Sequence, residues 1–540
     1  MLLSLFLLLY GLVLSYLLGR ISWERIKHFG AIPNEFNLHV TIFPIIGMAA
    51  MSPFLGIYHL FYEIDLTPHI SFLSVLAIYH KSIPNFLKEA YLSLKKDWGL
   101  ILLLILGALL SIIIRPGVGD IADYHLQAIQ WAERYANIPG LGNFNRPLAN
   151  NNWWFNLQAF FGLNSLGVKS VYVGNALFYI SAFLWFFLSP TVSKAQQWMR
   201  YVFLLFMILA FKTAFIGAVT PDIVITLCLY ILLDLFVLAK FQAAHYKPYL
   251  ILSVFFICWA LTVKATALTY GMICLPALYA LVRQKDFKTL FLLIYLACIF
   301  LIPWLIGNVM VSGYLLYPFH QIDLFTFNWK LPTEVLQFET FSIKSWGKVP
   351  YQDIYYTATL SLKEWLPMWF KQLDFLNKSL VISFALATPI LWILVWKRKE
   401  IIWLIAFVLL GFLVLFLNGP HPRFLFGYMV STLALLAYVM AEKFSFHLAK
   451  SFLSILAVLM VSYVLVQAVK KGDLMQGLIY PKAYPSNQLE PINLNGFKAY
   501  TTPQEGICWD QFPSTYYMVP GTQLRTQDVR DGFKPATIAF

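Results

Sequence analysis

The sequence predicts an all-α polytopic membrane protein with about fourteen transmembrane helices. Three observations carry this expectation. The 540 residues are 60% hydrophobic and only 12% charged, whereas a soluble globular chain carries roughly 25% charged residues. Mean hydropathy is +0.69, and the apolar residues fall in runs near the ~20 residues that span a bilayer. Aromatic residues reach 17%, as expected where Trp and Tyr anchor at two membrane interfaces.

Taken in chain order, the candidate spans are 2–19, 38–57, 66–80, 99–114, 170–189, 200–217, 221–239, 248–263, 265–282, 288–307, 376–396, 400–417, 424–441 and 451–469. Only Lys264 divides the eighth from the ninth. The first run lacks a basic start and a small-residue cleavage site, so it reads as a retained helix rather than a signal peptide. Lys and Arg recur in every second connection: Arg20, Arg25 and Lys27; Lys81, Lys88, Lys95 and Lys96; Lys194 and Arg200; Lys240 and Lys247; Arg283, Lys285 and Lys288; Lys397, Arg398 and Lys399; Lys443 and Lys450. The positive-inside rule makes these connections cytoplasmic and turns the N-terminus outward. The net charge of +13 is therefore read as topology, with no nucleic-acid partner. The working face is expected to be the outer one.

The opposite face collects the large polar pieces: loop 115–169, the turns near 212–220 and Lys264, loop 308–375, turn 418–423 and the tail from Lys470. Three units follow: an N-terminal transmembrane unit (1–98), a core (99–470) and a small mixed extramembrane segment (471–540). The tail carries a strand-like piece at Gly496–Tyr500 and turn signals at Ala483–Asn487 and Val519–Gly521. Cys228, Cys258, Cys274 and Cys298 lie in apolar runs and Cys508 is alone in the tail, so neither a disulfide framework nor a zinc site is expected.

The first large loop is the chemical focus. Asp120 follows a span end and the turn Arg115–Gly119, then Ile121–Tyr135 places Ile121, Tyr124, Ala128, Ile129, Ala132 and Tyr135 on one helical stripe. This reads as an amphipathic helix in the interface. Asp120 suits a helix N-cap, a role compatible with that of a base. Asp123, Tyr124, His125 and Gln127 accompany it. Asn143 and Trp153 offer amide donors and acceptors and an aromatic face suited to a sugar ring, against the plainer roles of helix cap and interfacial anchor.

Charges at span ends complete the candidate set. Lys264 interrupts an apolar run, and an ionisable residue there is a functional candidate by default. Asp222 opens a span after Thr220-Pro221. His421 and Arg423 open another, and a guanidinium binds phosphate oxygens bidentately. Arg423 and Lys264, with Arg115 in a lesser role, could hold a lipid-linked phosphate; the plainer alternative is snorkelling to headgroups.

This arrangement resembles the GT-C superfamily of integral membrane glycosyltransferases, which includes protein O-mannosyltransferases and the aminoarabinose transferase of lipid A. Four short features carry the resemblance: Asp120 with DYHLQAIQWAERY in the first outer loop, Thr220–Asp222 at a later span start, Lys264 in a mid-chain span, and Arg423-Phe424 after the long loop. The run from Asp120 through His125 and Gln127, followed by PGLGN, is closest to a bacterial subgroup without assigned substrate. The resemblance implies a polyprenyl-phosphate-linked sugar donor, a lipid, glycan or protein acceptor, inversion at the anomeric carbon, and Asp120 as general base. It requires no cofactor and leaves a divalent metal open. The acidic pair is spaced as Asp120 and Asp123 rather than adjacent, and three helices precede the usual first one. Two other classes share the bulk features: a lipid-linked glycan polymerase or ligase, and a transporter or flippase.

Overall fold

The computed structural model describes residues 1–30, 32–33, 35–114, 120–167, 171–213, 215–242, 246–350, 352–443, 450–473, 477, 484–485 and 488–536. Arg115 with its turn, and part of the Ala483–Asn487 turn, lie outside the described residues.

The protein is an all-α membrane bundle. Ten of the described helices are long and apolar enough to cross a bilayer, or eleven if the pair Ile83–Leu94 and Trp98–Ile114, bent by 97°, is one span. The expected fourteen are not reached. The stretches read at 66–80, 99–114, 170–189 and 200–217 do form helices, of 12, 17, 15 and 17 residues. At ~1.5 Å per residue these fall short of a hydrocarbon core of about 30 Å when straight. Many apolar side chains on the long helices stay exposed, such as Phe291, Ile393 and Val469, which is the surface that lipid covers.

The first two helices, Leu2–Gly30 and Phe43–His59, pack against each other backbone to backbone. A Cβ on Gly19 would stand 1.8 Å from the Phe43 carbonyl oxygen, and one on Gly47 would stand 1.8 Å from that of Ser15. Small residues allow such approach, and dispersion between the close backbones replaces the absent hydrophobic driving force. The pair is tied into the remainder: Trp259 Nε1 donates to Ser52 Oγ at 2.8 Å, and Trp153 packs on Gly56.

Lys264 does divide its neighbourhood. The helix Tyr246–Val263 ends there, with Lys264 extended at φ −158°. The next ten residues, Ala265–Cys274, form a 3-10 helix before an α-helix over Leu275–Arg283. A 3-10 run of that length is uncommon, because its hydrogen bonds are poorer. Of its buried side chains, Ala267, Tyr270 and Ile273 recur every third residue, the 3-10 period, and Cys274 is buried where the α-helix takes over.

Deeper in the bundle, Arg200 and Asp234 form a buried ion pair, 1% and 0% exposed. Arg200 Nε and Nη2 donate to the two Asp234 oxygens at 2.7 and 2.8 Å, while Gln196 and Trp185 also donate to that carboxylate. The site is fully hydrogen-bonded, the condition under which a buried pair is tolerated.

Loop 308–375 contains three helices, Thr333–Lys348, Ile354–Thr359 and Leu362–Gln372. Ser361 and Glu364 form a capping box for the third, satisfying backbone donors that the helix start exposes. The tail is a three-stranded sheet ordered Glu490–Leu494, Phe497–Thr501, Ser514–Thr515, plus a short ribbon of Gln523–Leu524 and Phe533–Lys534. It docks on the first loop: Phe533 and Phe497 pack around Phe144 and Trp131. Ile121–His125 is a π-helical turn leading into the helix Leu126–Arg134. That segment does not lie open along an interface. The bundle covers one side and the tail the other, so Gln127, Gln130 and Glu133 are buried as well.

Candidate active site

Four charged side chains from four distant segments meet at one end of the bundle. Asp120 ends the first connection to the π-helical turn, and its carboxylate ion-pairs with Arg423. Arg423 sits in the first turn of the helix Pro422–Lys443, with Nε 3.4 Å from Asp222 Oδ2. Asp222 opens the helix Asp222–Phe241, where the helix dipole favours an anion. Its Oδ1 accepts from Lys264 Nζ at 2.5 Å. The chain of charges is thus Asp120, Arg423, Asp222, Lys264, two anions alternating with two cations.

Aromatic rings line the cations. Phe424 lies under Lys264 Nζ, 4.2 Å from the ring centroid, and the Arg423 guanidinium is 5.0 Å from the same ring. His421 stacks on Trp346 with centroids 4.6 Å apart. Burial, with Arg423 adding to it, lowers the His421 pKa to about 4, so the ring is neutral near pH 7. The Arg423 backbone N–H points at His421 Nδ1 from 3.4 Å.

A small cleft opens beside this cluster. Asp222, Lys264 and Arg423 form its polar end, while Ile225, Leu229, Leu415 and Tyr428 form apolar walls. Tyr428 is held by a hydrogen bond of 2.6 Å with Thr269. A polar mouth over apolar walls suits an amphiphile with an anionic head.

The Thr220–Asp222 turn is propped from behind. Asn175 Nδ2 donates to the Thr220 carbonyl at 2.9 Å, and Asn175 Oδ1 accepts from Trp154 Nε1 at 2.8 Å and Gln158 Nε2 at 2.9 Å. Such supporting hydrogen bonds fix the orientation of the groups in front of them.

The other loop residues separate into two groups. Tyr124 and His125 stay beside the cluster. His125 packs between Tyr124 and Phe155, and burial lowers its pKa to about 4 even with Asp120 and Asp222 acting in the opposite sense. Asp123, Gln127, Asn143 and Trp153 are directed elsewhere. Asp123 Oδ1 accepts from the Gly506 N–H of the tail at 2.7 Å, and burial raises its pKa to about 7. Gln127 donates to the Trp509 and Gln511 carbonyls at 3.0 and 2.9 Å and accepts from the Ser514 N–H at 3.0 Å. Asn143 donates to the Gly140 and Trp329 carbonyls, and its own carbonyl receives Val519 N–H and Thr522 Oγ1. Trp153 is 1% exposed against Gly56. The amide and indole groups expected to face a sugar are thus engaged in holding the fold, and Asp123 is turned to the tail rather than paired with Asp120.

Several residues at or near the site were not singled out from sequence: Trp346, Asn175, Arg146 and Glu339. Among the described residues, no group of three or more His, Cys, Asp or Glu side chains is arranged to hold a metal ion. All five cysteines are free thiols.

No curated protein and no solved structure matches the chain. One family model matches residues 1–430, and its description is a domain of unknown function (DUF8201).

Proposed function

Since the chain belongs to the DUF8201 family, whose description assigns no activity, we propose from the site alone that it is a membrane glycosyltransferase. It transfers a sugar from a polyprenyl-phosphate-linked donor to an acceptor hydroxyl at the face bearing the large loops, read as periplasmic because the basic connections lie on the other side. The single observation that carries this reading is the contact of Asp120, Arg423, Asp222 and Lys264 at the mouth of an apolar-walled cleft.

The geometry suggests an order of events. Before donor binds, Asp120 is held by Arg423 and is unavailable as a base. A donor phosphate entering the polar end of the cleft competes for the Arg423 guanidinium, whose fork suits two phosphate oxygens. Asp120 is then released toward the acceptor. It takes the acceptor's hydroxyl proton as the acceptor oxygen attacks the anomeric carbon. The carbon–oxygen bond to phosphate breaks, and its electron pair goes to the departing polyprenyl phosphate. Arg423 and Lys264 offset the charge that gathers there. Asp222 divides its oxygens between these two cations and keeps them side by side. His421, neutral and stacked on Trp346, adds no competing charge.

The test uses the full chain in nanodiscs with a panel of radiolabelled polyprenyl-phosphate sugars. Wild type is expected to transfer label from at least one donor and release polyprenyl phosphate. The variant Asp120→Asn is expected to lose roughly 10²–10⁴-fold in rate, the usual contribution of a general base. Near-normal transfer by Asp120→Asn, with normal insertion, would falsify the assignment.

A further inference from the structure

A second polar cluster lies outside the four-charge site, where the first loop, the helix Thr333–Lys348 and the tail converge. Arg146 comes from the first loop, and its backbone N–H donates to the Tyr517 carbonyl at 3.2 Å. Its guanidinium lies between two rings, 4.9 Å from the Phe338 centroid and 5.6 Å from that of Tyr517. Stacking covers the faces of the planar group and leaves the edge, where its donors are. Arg146 Nε is buried without a hydrogen-bond partner. Its nearest anion is Glu339, at 3.9 Å, beyond hydrogen-bond reach, with the two side chains 19% and 15% exposed.

Such an arrangement is costly in itself. A buried donor without a partner forfeits the hydration it had in water. Burial also pushes the Glu339 carboxyl above its ordinary range, with Arg146 only partly offsetting it. A donor edge beside an acceptor carboxylate, the two not hydrogen-bonded to each other, can be bridged by a group that both donates and accepts. A hydroxyl does both. Tyr517 and Phe338 supply the apolar faces that a pyranose ring covers with its C–H groups. The nearby charges also argue against an anionic ligand, because Glu505, which accepts from the Tyr517 hydroxyl, adds a second carboxylate.

The cluster adjoins the four-charge site. Tyr124 lies within electrostatic range of both Asp120 and Glu339. Tyr517 likewise feels both Glu505 and Asp120.

We propose that Arg146, Glu339 and Tyr517 form a binding site for the vicinal hydroxyls of a neutral carbohydrate, on the acceptor side of Asp120. The word acceptor rests on the transferase reading; the saccharide site itself does not. Arg146 donates to one hydroxyl, Glu339 accepts from its neighbour, and Tyr517 stacks on the ring. The tail thereby contributes to acceptor choice, although it lies beyond the residues matched by the family.

The experiment measures binding without turnover. The full chain in nanodiscs is titrated with methyl α-mannopyranoside, methyl α-glucopyranoside and lactose, with inorganic phosphate as the anionic comparison, and saturation-transfer NMR reads each. At least one saccharide is expected to bind, and Arg146→Lys and Glu339→Gln are each expected to weaken it roughly tenfold or more, as loss of a hydrogen bond to a charged group does. If either variant is poorly folded, Glu505→Gln at an exposed position serves instead, with a smaller weakening expected through Tyr517. Binding of phosphate alone, no saccharide binding by wild type, or undiminished binding by the variants overturns the proposal. Saccharide binding without transfer from any donor would overturn the transferase reading and leave this site standing. Transfer that proceeds normally in both Arg146→Lys and Glu339→Gln would leave the transferase reading standing and overturn the acceptor role of this site.

Discussion

Asp120 and Arg423, drawn from the first polar loop and from one of the last helices, close on each other as an ion pair, and Asp222 takes the other side of the same guanidinium. One arginine therefore serves two carboxylates in different directions. Lysine cannot reproduce this, since an ammonium is a point charge on a flexible stem. Arg423→Lys is expected to lower kcat/KM for a polyprenyl-phosphate donor by roughly 10–100-fold, the loss of one or two charge-assisted hydrogen bonds. Donor-concentration series in nanodiscs measure this. Wild-type kinetics from the lysine variant would show that the fork is not used.

Asp123 makes docking of the tail pH-dependent. Its carboxyl titrates near 3.8 when free and near 7 when buried against Gly506. The docked form therefore holds the proton over that window. Its contribution to stability is fully present below about pH 4 and is lost as pH rises to about 7. The buried His125 and His421 act with the opposite sign, losing stability as pH falls from 6.5 toward 4, so the comparison must be between variants. Asp123→Asn is expected to remove the alkaline loss, narrowing the drop in unfolding midpoint between pH 5 and pH 8 relative to wild type. An identical drop in both proteins would remove Asp123 from the account.

Three of the four charges of the candidate site were legible because each stands out against an apolar run, and Asp120 because it heads the first long polar loop. Lys264 breaks one, while Asp222 and Arg423 each open one. Asp234 gave the same signal, a lone carboxylate inside LLDLF, but its partner Arg200 reads at first as one more topology-setting basic residue. Arg146 and Glu339 gave no such contrast, lying in loops where charge is ordinary. The Gln127 side chain looks available in sequence because the tail residues that engage it, Trp509, Gln511 and Ser514, lie at the far end of the chain, and Asn143 because its partner Trp329 comes from the long second loop. Span counting fails where a helix is short yet fully packed, as at Gly174–Leu188, since burial does not require membrane length.

Removing one half of the Arg200–Asp234 pair leaves an uncompensated charge within the bundle. Arg200→Met alone is expected to destabilise by about 3–5 kcal/mol. The double variant Arg200→Met, Asp234→Leu should recover much of that loss, because neither charge is then stranded. Folded yield and thermal midpoint in detergent distinguish the two. Equal damage from the single and the double variant would locate the cost in packing rather than charge.

The Gly19–Gly47 contact makes a steric prediction. Gly19→Ala and Gly47→Ala each add a methyl where a carbonyl oxygen stands 1.8 Å away. The first two helices must separate, with a cost of roughly 1–3 kcal/mol typical of overpacking. Gly99→Ala, whose added Cβ meets nothing within 4 Å, is the control and should be silent in the same thermal assay.

The ten-residue 3-10 run after Lys264 has a consequence for reach. A 3-10 helix rises ~2.0 Å per residue against ~1.5 Å in an α-helix, so Ala265–Cys274 gains about 5 Å. The 19 residues Ala265–Arg283 thereby extend to about 33 Å rather than about 28 Å, enough to cross a hydrocarbon core of about 30 Å. The same overwinding slims the element and turns Thr266 and Tyr270 to the cleft. Relaxing Ala265–Cys274 into an α-helix would shorten the element by about 5 Å and draw Lys264 toward the middle of the bilayer and away from Asp222, so the winding of one segment sets the depth of the four-charge cluster.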